Sequence, residues 1–189
     1  MTISELWDQY IGDDKSLYTF KEIAPPKPTA SQGDECRALC QQNVCKSLGT
    51  NWGCPPGTGT IGECLGALKM FRKTAVIYRR FNVNHKDRDC LAVISREHQT
   101  MLRGFSDLLR KGGYKTLPLS DGGCSYCERC PYPLPCTHPD ERVPSVSAYG
   151  ILMMPYMEDN GIPFKFEDNA VTLYALLLYN DPPADRSAR

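Results

Sequence analysis

The segment GGCSYCERCPYPLPC, residues 122–136, sets Cys124, Cys127, Cys130 and Cys136 apart by two, two and five intervening residues. This feature constrains the fold more than any other. Glycines at 122 and 123 and prolines at 131, 133 and 135 exclude a helix or central strand here, so a scaffold must present these thiols on a stiffened loop. Disulfides, a zinc site, an iron–sulfur cluster and simple packing are the four ways to account for them.

A second group, Cys36, Cys40, Cys45 and Cys54, lies in CRALCQQNVCKSLGTNWGCPPGTG, with intervals of three, four and eight residues. The opening MTISELWDQYIGDDKS has no basic stretch followed by an apolar one, so a secretory signal is not expected. A reducing, cytoplasmic setting follows, in which thiols serve metals or catalysis more often than disulfides. At 189 residues the chain can build a core without covalent staples.

Two-residue intervals let one tight turn aim successive sulfurs at a common centre, and three of them can grip three corners of an iron–sulfur cube. Cys136 is near enough to supply the fourth thiolate. Zinc more often uses two such pairs separated by a dozen or more residues. The spacing therefore favours iron–sulfur over zinc at 124–136. The first group matches no common zinc pattern, but it holds thiols enough for a second cluster, and CPPGTG stiffens the chain beside Cys54. Cys36, Cys40, Cys45, Cys54, Cys124, Cys127, Cys130 and Cys136 are the expected metal and cofactor ligands.

Other residues are weaker candidates. Cys64 falls on the apolar face of an expected helix, where cysteine commonly packs as a small hydrophobe. Cys90 stands alone. His138 is placed to ligate a metal or bond a sulfur, though a loop histidine more often does neither, and His98 reads as a core residue. Trp52 and Tyr126 could shield a cluster from water or simply pack. GTGTIG lacks the Lys-Ser/Thr ending of a phosphate loop. No catalytic set emerges from three histidines.

Lys plus Arg and Asp plus Glu number 22 each, so the chain has no basic excess with which to bind nucleic acid or an anionic membrane. A redox protein or a small-molecule substrate is the expected partner. Hydrophobic residues make up 41% and charged residues 23%, as in a globular protein, and no apolar run suits a membrane helix.

SLYTFKEIAP reads as a strand and PPKPTASQGD as a linker into cysteine-rich turns. Thr60 and Glu63 have capping-box spacing, and Ile61, Cys64, Leu65, Leu68 and Phe71 recur as on one helix face, to about Lys73. TAVIYRRF follows as a strand. A long helix is expected from about Lys86 to Lys111, closed by Gly112 and Gly113. YKTLPL, IPFKFED and AVTLYALLLYN read as further strands, with short helical segments around Pro155. The expectation is an α/β (or α+β) fold: a small mixed sheet with flanking helices. It forms a single domain over 1–180, with cysteine-rich loops at 36–64 and 122–138 and a flexible tail at 181–189.

Cys45, Leu48, Gly49, Trp52, Cys54, Pro55 and Pro56 form C-x2-[YL]-G-x2-W-x-C-P-P, joined by the later cysteines and by HPDERVPSVSAYGI. This combination resembles a family of predicted metal-binding proteins of unknown function, found largely in anaerobic bacteria and archaea. The resemblance covers about residues 30 to 180. Leu48 replaces a commoner tyrosine, and Val143 interrupts an Arg-Pro step. It implies metal binding through the eight clustered cysteines and no catalytic residue. Two [4Fe-4S] clusters, acting in electron transfer or as a redox or Lewis-acid centre if one iron is open, are the expectation; a structural zinc module is the alternative.

Overall fold

The structure, a computed structural model, describes residues 1–183. The expected tail at 181–189 therefore lies outside the described residues from 184 onward. Among the described residues nine α-helices and β-strands follow one another: α1 (Ile3–Ile11), β1 (Thr19–Ile23), α2 (Ala30–Gln41), α3 (Ile61–Leu68), β2 (Lys73–Phe81), α4 (Arg88–Lys111), β3 (Lys115–Ser120), α5 (Met153–Asp159) and β4 (Val171–Asn180). The strands form one sheet in the order β1-β2-β4-β3. Helices flank it, as the sequence predicts for an α+β protein. Every strand pair in the sheet is antiparallel, and among the described residues the one parallel contact is an isolated bridge between Ser120 and Ser145.

The near-continuous apolar run of β4 has a direct cause. Side chains alternate across a strand, and both faces of this one are covered. Ala175, Leu177 and Tyr179 join Ala75 and Ile77 in a core with Trp7 of α1 and Leu102, Phe105 and Leu109 of α4. Tyr174, Leu176 and Leu178 join Val76 in a second core with Cys64 and Leu68 of α3 and Met157 of α5. The result is a three-layer stack with β4 at its centre. Pro118 sits in edge strand β3, where its missing N–H breaks no ladder.

α3 has the expected box: the Glu63 N–H donates to the Thr60 hydroxyl, and Glu63 accepts from the Thr60 backbone. The helix ends at Leu68 rather than near Lys73, because the chain must already be extended at Lys73 to pair with Tyr179. The stretch expected as a linker is helical from Ala30, and its start carries a second box, Thr29 with Gln32. Helix α1, for which no element was expected, begins at a third box, Thr2 with Glu5, and lays Ile3, Leu6, Trp7, Tyr10 and Ile11 along one face against the core. IPFKFED forms no strand. Both sides of β4 are already paired, so Phe164 instead stacks on Tyr174, while Phe166 stays 83% exposed. Among the described residues no helix is long and apolar enough to cross a membrane.

Candidate metal centre

The second cysteine loop leaves the end of β3, and its base is fastened immediately. The Ser120 N–H donates to the Pro144 carbonyl at 3.0 Å, and the Val146 N–H donates back to Ser120 at 2.9 Å. Residues 121–143 therefore form a closed excursion above the sheet edge. From below, α4 supplies Gln99, a fully buried amide. Its Nε2 donates to the Gly123 carbonyl at 2.9 Å, and its Oε1 accepts from the Ser125 N–H and hydroxyl, each at 2.9 Å. One helix turn later the Arg103 guanidinium lies 5.0 Å from the centre of the Tyr126 ring.

The first group begins on a helix. Cys36 and Cys40 are four residues apart on α2, hence on one face. After α2 the chain turns through Asn43 and Lys46, both in the left-handed region at φ 50° and 59°. The Asn43 side chain secures the turn by accepting from the Leu48 N–H at 3.1 Å. Cys40, Cys45 and Cys54 line a cavity of ≈ 360 Å³ together with Leu39, Val44, Leu48 and Arg88; Cys36 does not reach it.

The two groups meet. Asn51 Nδ2 donates to the Cys124 carbonyl at 2.9 Å, and its Oδ1 accepts from the N–H groups of Gly53 at 2.7 Å and Cys124 at 3.1 Å. The Trp52 N–H points at Cys130 Sγ, 3.4 Å away, and its indole N–H donates to the Leu134 carbonyl at 2.8 Å. The Ser145 N–H donates to the Gly53 carbonyl at 2.8 Å. A β-carbon on Gly53 would stand 2.5 Å from the Cys124 nitrogen, so only glycine permits this approach. A β-carbon on Gly123 would lie 3.2 Å from Cys54 Sγ.

Burial dominates the thiol chemistry of Cys36, Cys40 and Cys54. It pushes Cys36 up to about 11 and Cys54 up to about 12, with the neighbouring thiols of Cys45, Cys40 and Cys124 adding to the rise at Cys54. Burial also raises Cys40, against the opposing pull of the Arg37 guanidinium. Arg37 itself is tied down through Nη2, which donates to the carbonyls of Gly59 and Ala148 at 3.0 Å each and lies 3.5 Å from Cys64 Sγ. Its Nε is buried with no acceptor.

The structure thus places Cys40, Cys45 and Cys54 around one cavity, Cys36 beside Cys40, and Cys124 across the seam from Cys54. Cys127 Sγ is 3.9 Å from His138 Nδ1, whose ring packs against Tyr126 with centroids 4.9 Å apart. Trp52 packs edge-on against Tyr132. Cys64 is a buried helix residue whose thiol donates to the Thr58 carbonyl at 3.4 Å. Cys90 occupies the first turn of α4, on the Asp87 cap. His98 is fully buried. Asn51, Gln99 and Arg37, which organise the site, carry no cysteine spacing. A signal for the first was its place inside the Gly49–Cys54 motif, and for the third its place between Cys36 and Cys40.

Among the described residues no three or more His, Cys, Asp or Glu side chains are gathered closely enough to hold a metal ion as they stand. The donor set nonetheless fits a thiolate-ligated group. All ten cysteines are free, eight of them on two interlocked segments, and the buried Arg37 Nε lacks an anionic acceptor such as a metal-bound sulfur would present. No curated protein and no solved structure matches the chain. One family model does, over residues 29–179, which takes in both cysteine groups, Asn51, Gln99 and Arg37. The chain belongs to that family, the predicted metal-binding proteins designated DUF2284.

Proposed function

We propose that this protein is an iron–sulfur protein of the reducing cytoplasm. Its two [4Fe-4S] clusters are held by Cys36, Cys40, Cys45 and Cys54 and by Cys124, Cys127, Cys130 and Cys136. The observation that carries the reading is the Cys124–Cys127–Cys130 run on a loop pinned at its base by Ser120 and Pro144 and supported by Gln99. Such a cluster exchanges single electrons at a potential set by burial, charge and hydrogen bonds to sulfur. The residues around the second group supply those controls: the Trp52 N–H toward Cys130, His138 beside Cys127, and the Arg103 cation beneath Tyr126. Electron transfer to a redox partner is the role this arrangement supports.

One observation favours a second reading for the first group. The cavity against Cys40, Cys45 and Cys54 is of small-molecule size and has apolar walls from Leu39, Val44 and Leu48 with one cation, Arg88. An iron left with an open position there would act as a Lewis acid on a bound substrate.

Anaerobic purification tests the main reading. It requires a brown protein absorbing at about 400 nm, with about eight irons and matching sulfide per chain. Two interacting signals are expected in the EPR spectrum of the reduced protein. A colourless preparation carrying only zinc refutes the proposal. One EPR signal with about four irons removes the first group from it.

A further inference from the structure

We infer that Asn51 joins the two cysteine groups into one cooperative metal-binding unit, in which metal on either group tightens the hold of the other. The inference rests on the reading that these cysteines bind metal, and not on that metal being iron.

Asn51 lies in the first group's segment, yet it satisfies both backbone polar groups of Cys124, a ligand residue of the second. A single side chain must offer an acceptor and a donor side by side for this. Asparagine does so at the right length, whereas aspartate loses the donor. The same Oδ1 holds the Gly53 N–H, so the amide also fixes its own loop one residue from Cys54. The Trp52 N–H to Cys130 and the Ser145 N–H to Gly53 run alongside, and the contact of Gly53 with Cys124 leaves no room for the segments to slide.

Metal binding must order the segment that carries its ligands, and part of its binding free energy is spent on that ordering. Where two segments are cross-linked residue by residue, ordering one orders the other in advance, so the second binding event costs less. Repulsion between two thiolate-ligated groups acts the other way. It is reduced by the guanidinium groups of Arg37, Arg88 and Arg103, which flank the two groups. Coupling of this kind is reciprocal: each group must strengthen the other by the same factor.

The test follows metal release to a chelator from anaerobically loaded protein, counting iron and zinc together. Cys127→Ala, which leaves every seam contact in place, is expected to lose more than half the bound metal. The first group of that variant should release its remainder about 10–100-fold faster than in the wild type, the usual cost of a lost supporting partner. Asn51→Ala should accelerate release from both groups, and adding it to Cys127→Ala should accelerate release from the first group by a clearly smaller factor than Asn51→Ala does alone, since only the support of its own loop through Gly53 is then left to lose. Far-UV circular dichroism checks the fold throughout; should Asn51→Ala fail to fold, Asn51→Asp takes its place. Half the metal retained with unchanged release in Cys127→Ala overturns the inference. So does an Asn51→Ala effect that is as large in the Cys127→Ala background as alone, which would make Asn51 a support of its own loop only. Zinc in place of iron with coupled release refutes the iron–sulfur reading and keeps this one; iron with independent release does the reverse. A chain that takes up neither metal overturns both.

Discussion

Acidification should weaken this fold through one residue, His98. Its ring is fully buried in α4, stacked 6.0 Å from Tyr18, and neither nitrogen has a hydrogen-bond partner. Burial, reinforced by the Arg79 cation, lowers its pKa from 6.5 to about 4; the Ile77 backbone opposes this weakly without making a bond of proper geometry. Arg79 cannot move aside easily, since it donates to Glu97 at 2.6 Å and lies over the Tyr18 and Phe81 rings. The unfolded chain takes up a proton here below about pH 6.5, while the folded chain does not until about pH 4. Stability from this group is therefore complete above 6.5, falls between the two values, and changes no further below the lower one. Each unit is worth about 1.4 kcal/mol, so the loss is about 3 kcal/mol. Urea unfolding from pH 7 to pH 4 should show a wild-type decline steeper by that amount than in His98→Leu, which has no proton to gain. Because the ring makes no hydrogen bond, the variant should lie within about 1.5 kcal/mol of the wild type at pH 7. Parallel declines in the two proteins, or an NMR titration of His98 near 6.5, would refute the reasoning.

Three further outcomes are expected. Gly53→Ala drives a methyl group against the Cys124 nitrogen and should cost about 1–3 kcal/mol; hydrogen exchange over residues 121–128 must rise, and unchanged protection there contradicts the close approach. Gln99→Leu leaves the Gly123 carbonyl and the Ser125 N–H without their buried partner, for about 2 kcal/mol, with the metal content of the second group falling while α4 remains helical by circular dichroism. Leu177→Ala opens a cavity at the centre of β4 and should lower stability by about 2–5 kcal/mol in urea titration; a loss below about 1 kcal/mol would mean that the α1–α4 face of the sheet is not closely packed.

Much of the scaffold was legible because its signals are local. α4 shows an apolar stripe closed by glycines, α3 shows its capping box, and β4 shows an uninterrupted apolar run. α2 escaped notice because it buries only Gly33 and Cys36, so it has no apolar stripe to find. Its Thr29–Gln32 box, like Thr2–Glu5 before α1, was the available sign and sits in plain view in the chain. The converse error at IPFKFED came from judging two alternating phenylalanines without knowing that both sides of β4, the strand they pack beside, were already paired. Pairing depends on neighbours far along the chain, and periodicity cannot report it.

The same division holds at the candidate centre. Residue order alone determined that eight thiols fall in two groups, that three of the second group recur at two-residue intervals, and that glycine and proline would hold the second group away from helix and strand. Those properties depend on neighbours a few residues apart. Only the tertiary structure decided that the groups form one body. Asn51 and Cys124 are separated by 73 positions, and Gln99 and Ser125 by 26. Their contacts exist because β3 delivers the second loop to the sheet end at which the first segment arrives, and because Gly53 lets two backbones touch. A hydrogen bond needs its partners within about 3 Å, and what brings distant residues that close is the packing of the whole sheet and its helices.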